Sequence, residues 1–362
     1  MAVGFAQWGN DLYTGRKSYD IVGRRKIWYG IAIAFVLISA VLLVRPGLNP
    51  GIEFRGGSEF VVSGVADRNQ QRAIDTVQAI EPTELPRVTT IGRDSIRVQT
   101  AELTNVQVEA VRGALATAFA VPEAQVTSSF IGPTWGADVS RKAITGLVVF
   151  LVLVSVVMTA YFRNWRMAVA ALAALFHDIM FTAGVYAAVG WEVTPATVIG
   201  FLTILGYSIY DTVVVFDKVR ENTDGVLNQS LYTYAEKANL AVNQTLVRSI
   251  NTSVVALLPV ASILFIGAFV LGAGTLRDIA LALFVGMLIG TFSSIFLATP
   301  LEVTLREREP AIRQHTQRIL AARAAGAGTG AGADVVVAGP RVSPLRPGVH
   351  QGFAAQPKRR GR

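Results

Sequence analysis

Along the chain, long apolar runs alternate with short polar links and one long, mostly polar segment. The apolar runs lie near 27–44, 143–161, 167–189, 194–216, 250–271 and 277–299. Each is close to the ~20 residues an α-helix needs to cross ~30 Å of hydrocarbon. The pattern predicts an α-helical polytopic membrane protein with six transmembrane helices. It divides the chain into an N-terminal segment at 1–26, helix one at 27–45, an external domain at 46–140, helices two to six at 141–305 and a tail at 306–362. The first run follows "GRRKIWYG" and has no small-x-small cleavage pattern before "RPGLNP", so it is expected to remain as an anchor.

The segment between helices one and two has a different periodicity. "GIEFRGGSEFVVSG" alternates β-prone residues around a bulge or turn at Gly56-Gly57, which predicts a strand. Ala73, Ile74, Val77 and Ile80 recur at helical spacing, and a second amphipathic helix starts at an expected N-cap, Thr104. "RVTTIGRDSIRVQT" reads as a hairpin turning at Gly92-Arg93-Asp94, and "AQVTSSFIGP" as a last strand. The order βαββαβ predicts a small ferredoxin-like α+β domain. No nucleophile–base pair, phosphate loop or metal-ligand spacing occurs in it, so the expectation is a binding or mechanical module and not an enzyme.

Composition sharpens this picture. The chain of 362 residues is 52% hydrophobic and only 16% charged, too apolar for an ordinary soluble protein. It has no cysteine, which excludes disulfides, thiolate metal sites and cysteine nucleophiles. No metal or other cofactor is expected. Basic residues in short links mark the cytoplasmic side. Arg16, Lys17, Arg24, Arg25 and Lys26 precede helix one; Arg163 and Arg166 separate helices two and three; Lys218, Arg220 and Lys237 separate helices four and five. The "GWEV" and "GAGTL" links have no basic residue. Both termini are therefore expected inside. Segment 46–140 has seven arginines against eleven acidic residues, a net of −4, and the tail 306–362 has a net of +8. The Gly-, Ala- and Arg-rich tail is expected to be disordered, as a solvated extension or a patch for anionic lipid headgroups or the ribosome.

Polar residues inside the apolar runs carry the candidate chemistry. Asp211 stands in run four, where a lone carboxylate costs roughly 2.5–3.5 kcal/mol at the centre of a membrane helix. Thr203, Tyr207, Tyr210, Asp211 and Val214 form one stripe flanked by Ser208 and Thr212; Gln244, Arg248, Asn251 and Thr252 form a comparable face on helix five. Antiparallel pairing can bring Arg248 towards Asp211, as a static tether or as a titratable pair. Low dielectric favours a neutral acid and a guanidinium favours the carboxylate, so a moving partner switches proton affinity. His177 and Asp178 on helix three suit a buried interhelical hydrogen bond or a secondary proton group; a metal-hydrolase reading lacks a second ligand pair. Gly286 and Gly290 form a G-x-x-x-G packing step, and Pro195 and Pro259 are expected to break helices four and five locally.

"GIEFRGG", "HDIMFTAGVY", "GYSIYDTVVVFDKVREN", "NQTLVRSINTS" and "LRDIALALFVGMLIGTFSSIFLATP", in this order, resemble the SecF family of protein-export membrane subunits. That family lies in the resistance-nodulation-division superfamily. The resemblance runs from about residue 20 to 305. Glu53 stands where the family usually has Asp, and Tyr210 where Asn often precedes the helix-four Asp. The resemblance implies a bacterial plasma (inner) membrane location, SecD as partner, and association with the SecY-SecE-SecG channel and other membrane insertion factors. It implies that the proton gradient drives release of an unfolded, translocating polypeptide, with Asp211 and Arg248 at the proton-coupling positions and Glu53, Gly56 and Gly57 in the external motif. The rival within the superfamily is a self-contained proton-driven exporter of lipids or small molecules; such proteins usually join two such halves, and only one half is present here.

Overall fold

The computed structural model describes residues 2–92, 94–270 and 274–328. Its N-terminal helix α1 (Ala2–Tyr13) precedes α2 (Arg25–Val44), the first span. Then come β1 (Asn49–Pro50), the helical turn α3 (Ile52–Arg55), β2 (Gly57–Val62), α4 (Gln70–Ile80), β3 (Arg87–Ile91), β4 (Ser95–Thr100), α5 (Asn105–Phe119) and β5 (Val126–Ile131). The remaining bundle is α6 (Pro133–Phe162), α7 (Trp165–Val189), β6 (Glu192–Val193), α8 (Pro195–Thr223), α9 (Tyr234–Ser262), α10 (Gly274–Ser293), α11 (Thr299–Arg306) and α12 (Pro310–Gly328). Among the described residues, six helical stretches are long and apolar enough to cross a membrane.

Between the first two spans, β2 to β5 form an antiparallel sheet in the order β3-β4-β2-β5. Its core is Phe60, Val62, Ile96, Val98 and Val126 from the sheet and Ala73, Val77, Val111 and Leu115 from α4 and α5. Asn69 caps α4, accepting from Gln71 and Arg72 N–H, and Thr104 with Gln107 makes a reciprocal capping box on α5. The expected strand around Gly56-Gly57 starts only at Gly57, because residues 52–55 coil into a turn. Gly56 and Gly57 both have positive φ, 79° and 139°. A Cβ on Gly57 would sit 2.4 Å from Thr100 O, so only glycine fits. The hairpin register pairs Ile91 with Ser95, while Arg93 of its expected turn lies outside the described residues.

Several expected boundaries move. α6 starts at Pro133, ahead of the expected domain end at 140, with the proline in its first turn, and runs on through the second candidate span. Pro195 does not break helix four: it is the first residue of α8, where the missing N–H costs nothing. Pro259 does lie inside α9, which widens into π-helix at Ile263–Val270. The "GAGTL" link is only partly described, residues 271–273 lying outside. The tail is not unstructured throughout. Within it α12 buries Ile312 and Ile319, His315 Nε2 lies 2.7 Å from Gln229 O, and Arg323 pairs with Glu236 at 2.7 Å; residues 329–362 lie outside the described chain.

Inside the bundle α7 and the sixth span are central, with 56% of each apolar window buried, against 11% for the first two spans. Helices α8 and α10 approach closely at two glycines. A Cβ on Gly286 would come 2.2 Å from Ile204, and one on Gly290 3.2 Å from Ser208 Cβ. The G-x-x-x-G step therefore sets the rotation and spacing that bring the polar residues of α8 against α10. At the other end α1 rests on α9: Asn243 Oδ1 accepts from Tyr19 N–H at 2.7 Å, and Gln244 donates to Tyr13 O at 3.1 Å.

Candidate functional site

Asp211 lies about sixteen residues into α8, roughly 24 Å from Pro195 and about 18 Å from Thr223 at 1.5 Å per residue. Its side chain is 4% exposed. Ser249 of α9 donates to Oδ1 at 2.8 Å, and Oδ2 has no hydrogen-bond partner among the described residues. Among the described residues Arg248 and Asp211 form no ion pair; Arg248 is exposed on α9, and its charge acts on Asp211 from a distance. One residue along a helix rotates the side chain by about 100°, enough to substitute Ser249 for Arg248 at the contact.

The seam continues across three helices. Tyr207 donates to Ser253 Oγ at 3.3 Å, Ser253 Oγ lies 2.5 Å from Thr291 Oγ1, and Ser253 also donates to Ser249 O at 2.8 Å. These hydroxyls tie α8, α9 and α10 around Asp211. Thr252 is half-buried and Asn251 exposed, so the inward face of α9 is Ser249–Ser253 and not the face through Arg248. Tyr210 of α8, 54% exposed, and Arg248 and Asn251 of α9 are exposed. Polar groups therefore stand on the outside of two candidate spans.

A second carboxylate anchors the bundle centre. Asp178, 1% exposed, accepts from Ser208 Oγ at 2.6 Å and Ser293 Oγ at 2.8 Å through Oδ2, while His177 Nδ1 lies 3.2 Å from Oδ1. His177 packs among Phe35, Phe181 and Phe292, and its Nε2 has no partner among the described residues. Beside them Thr212 and Ser294 hydroxyls lie 3.0 Å apart. Ser208 and the His177–Asp178 pair thus belong to one cluster joining α7, α8 and α10, with Ser208 one turn from Asp211 on the same side of α8. Among the described residues no group of three or more His, Cys, Asp or Glu could hold a metal ion. Ser249, Ser253, Thr291, Ser293 and Ser294 escaped the sequence reading; the i, i+4 pair Ser249–Ser253 and the "TFSS" stretch are the signals that mark them.

Glu53 belongs to a separate site where the sheet meets the bundle. β1 pairs in parallel with β6, Asn49 with Glu192 and Pro50 with Val193, fastening the start of the external segment to the α7–α8 connection. Arg97 reaches Glu59 at 3.6 Å and Glu192 at 3.5 Å, and Gln99 Nε2 donates to the same two carboxylates at 3.1 and 2.7 Å. Glu53 Oε2 is buried without a hydrogen-bond partner among the described residues. Burial pushes its carboxyl above the ordinary range; the negative charges of Glu192 and Glu59 push the same way, against its backbone hydrogen bond and Arg97.

The chain's relatives agree with this architecture. Residues 112–308 match the family described as Protein export membrane protein SecD/SecF, C-terminal, and residues 41–63 match the SecD/SecF GG Motif. The chain is 46% identical over 329 residues to Protein translocase subunit SecF of Streptomyces coelicolor, covering 90% of this chain and 87% of that one. It is 43% identical to the SecF subunit of Mycobacterium tuberculosis, covering 88% and 74% of the two chains. It also superposes on the crystal structure of SecDF, a translocon-associated membrane protein from Thermus thermophilus, with a TM-score of 0.71 and 28% identity. That alignment takes in 81% of this chain and 39% of the SecDF chain, so this protein spans about two-fifths of its length. With an α-helical bundle of six candidate spans and relatives of this identity over most of its length, the chain belongs to the SecF family of protein translocase subunits.

Proposed function

We propose that this protein is the SecF subunit of a bacterial protein-export machine, using the proton gradient with SecD to promote late translocation and release of secreted chains on the outer face. The observation that carries the reading is Asp211: a buried carboxylate at membrane depth, held by one serine on Oδ1 and unpartnered on Oδ2 among the described residues. An intramembrane carboxylate half-satisfied in this way is costly as a static strut and suited to taking up and releasing a proton. Arg248 acts from the exposed side, where a rotation of α9 by about 100° exchanges it with Ser249 beside Asp211. Tyr207, Ser208, Tyr210, Asn251, Thr252, His177 and Asp178 line or support the path.

The partner follows from the polar outer face. Tyr210, Arg248 and Asn251 at membrane depth call for a second set of helices rather than lipid. The SecDF relative, in which one chain carries more than twice the length of this one, makes SecD the natural occupant. The βαββαβ unit serves as a ferredoxin-like module on the outer side that engages the unfolded polypeptide mechanically. The SecY-SecE-SecG channel supplies the path, in the inner membrane, with both termini cytoplasmic. One charge crossing ~100 mV releases about 2.3 kcal/mol, so a few protons suffice for a domain swing. The tail supplies further basic charge for anionic lipids or the ribosome.

The test is late-stage export in inverted vesicles containing SecD, the channel and either wild-type or Asp211→Asn protein, with and without a proton gradient. The gradient is expected to accelerate wild type alone, with assembly intact in both. An equal response in the two would make the Asp211 seam structural and remove proton coupling from this subunit.

A further inference from the structure

At the end of the bundle where α6 turns into α7, the protein carries a half-open cavity of about 630 Å³. Three connections form its walls: the α6–α7 turn, the α8–α9 connection and the junction of α11 with α12. Arg163, Arg166, Arg220 and Arg306 line it, against two carboxylates, Asp224 and Glu309. The balance is cationic. Glu309 is already engaged, by Arg166 at 2.9 Å and Arg306 at 2.5 Å, which fixes those two guanidiniums in the wall. Arg163 and Arg220 are exposed, and among the described residues neither has a carboxylate partner; Arg220 makes only a 3.4 Å contact to Tyr161 O.

Two local features aim this wall at an anion. Arg163 closes α6 in the left-handed conformation, φ 50° and ψ 30°, where a glycine is cheaper and an arginine costs on the order of 1 kcal/mol. The two-residue turn through Arg163 and Asn164 then starts the 25-residue α7 against the same cavity; Asn164 Oδ1 caps Arg166 N–H at 3.0 Å, and the positive dipole end of the helix adds to the arginine charge. Trp165, at the start of α7, is exposed and stacks under Arg166 at 5.0 Å. An exposed indole beside guanidiniums at the end of a membrane bundle suits the headgroup level of a bilayer.

We propose that this cavity is a binding site for a phosphate-bearing anion, gripped by Arg163 and Arg220 as charge-assisted donors with Arg166 and Arg306 held behind them by Glu309. Guanidinium forks match phosphate oxygens in two-pronged geometry, and the interfacial position lets the phosphate come from an anionic phospholipid headgroup or from a soluble phosphate compound. The site stands apart from the Asp211 seam, so its occupancy governs anchoring of the α6–α7 and α8–α9 connections and not proton transfer itself.

The full chain in detergent is titrated with phosphatidylglycerol and, separately, phosphatidylcholine, and bound lipid is read by native mass spectrometry; a lipid-free arm uses inorganic pyrophosphate. A headgroup site predicts a saturable preference for phosphatidylglycerol of about tenfold or more, displaced by pyrophosphate. A soluble-phosphate site predicts pyrophosphate binding with no lipid preference. In either case Arg163→Gln/Arg220→Gln abolishes the binding, whereas Arg313→Gln/Arg318→Gln, which removes two exposed charges of α12 outside the cavity, leaves it. Asn228→Asp, which adds a negative charge at the cavity and removes no arginine, is the second variant should the first not fold, and it is expected to weaken binding. No anion preference in either arm, or equal loss in the cavity and α12 variants, overturns the proposal.

Discussion

At Asp211 two oxygens of one carboxylate meet different surroundings: Oδ1 accepts from Ser249, and Oδ2 lacks a partner among the described residues. The hydroxyl of Ser249 therefore supports the acid directly, and its loss leaves a buried acceptor unmet, which costs about 1–3 kcal/mol. Ser249→Ala is expected to lower the thermal midpoint in detergent correspondingly and to weaken, without abolishing, the gradient response of export, since the carboxylate remains. A full wild-type response in the vesicle assay would remove Ser249 from the coupling path. Asp178 is held differently, with two serine donors on one oxygen and His177 beside the other. Neighbouring acids on one bundle thus have distinct roles open to them. Their presence inside apolar runs was legible in the sequence, because an ionisable residue in a hydropathy window is a local fact. Which hydroxyl answers which oxygen was not, because the partners lie on other helices and a one-residue change of phase selects Ser249 over Arg248.

At the scale of elements, the packing of α8 on α10 depends on Gly286 lying against Ile204. Gly286→Ala would place a methyl group where Ile204 already sits, with a Cβ contact of 2.2 Å. We expect a loss of about 1–3 kcal/mol, the range for overpacking, read as a lower unfolding midpoint. A neutral result would mean that the two helices separate readily at this step. The sheet–bundle junction yields a pH prediction. Glu53 in the folded protein holds its proton to higher pH than in the unfolded chain, mainly because it is buried. The unfolded chain then loses its proton first as pH rises. Stability contributed at Glu53 is full below the ordinary carboxylate range, declines as pH climbs through the raised value and is lost above it. Glu53→Gln is expected to flatten the decline of stability as pH rises above the ordinary carboxylate range, followed by thermal unfolding across a pH series. An unchanged slope would assign the dependence to other carboxylates. The glycine step and the βαββαβ order could be read from spacing; the β1–β6 clasp could not, because it joins two-residue strands more than a hundred residues apart with no periodicity of their own.

For the whole molecule, α12 closes the basic end of the bundle. Its His315 and Arg323 engage Gln229 and the first turn of α9, and Ile312 and Ile319 are buried. A chain ended before Pro310 is expected to unfold at lower temperature and to free the α8–α9 connection, seen as faster proteolysis there, whereas one ended at Gly328 keeps these contacts. Equal stability of the two would make α12 an appendage. Composition read this stretch as unstructured because it averages the sparse Ile312 and Ile319 with the Gly- and Ala-rich residues that follow. The spans, the basic bias of alternate connections and the position of Asp211 were determined by the sequence alone, since hydropathy and charge add up locally along the chain. Tertiary structure alone decided the serine on Asp211, the outward turn of Arg248, the two serines and the histidine around Asp178, the clasp at Glu53 and the arginine cavity. The contacts of α7 to α10 depend on how helices are rotated about their axes, by about 100° per residue, and that rotation is set by contacts such as Gly286 on Ile204; the clasp and the cavity likewise join residues far apart in sequence.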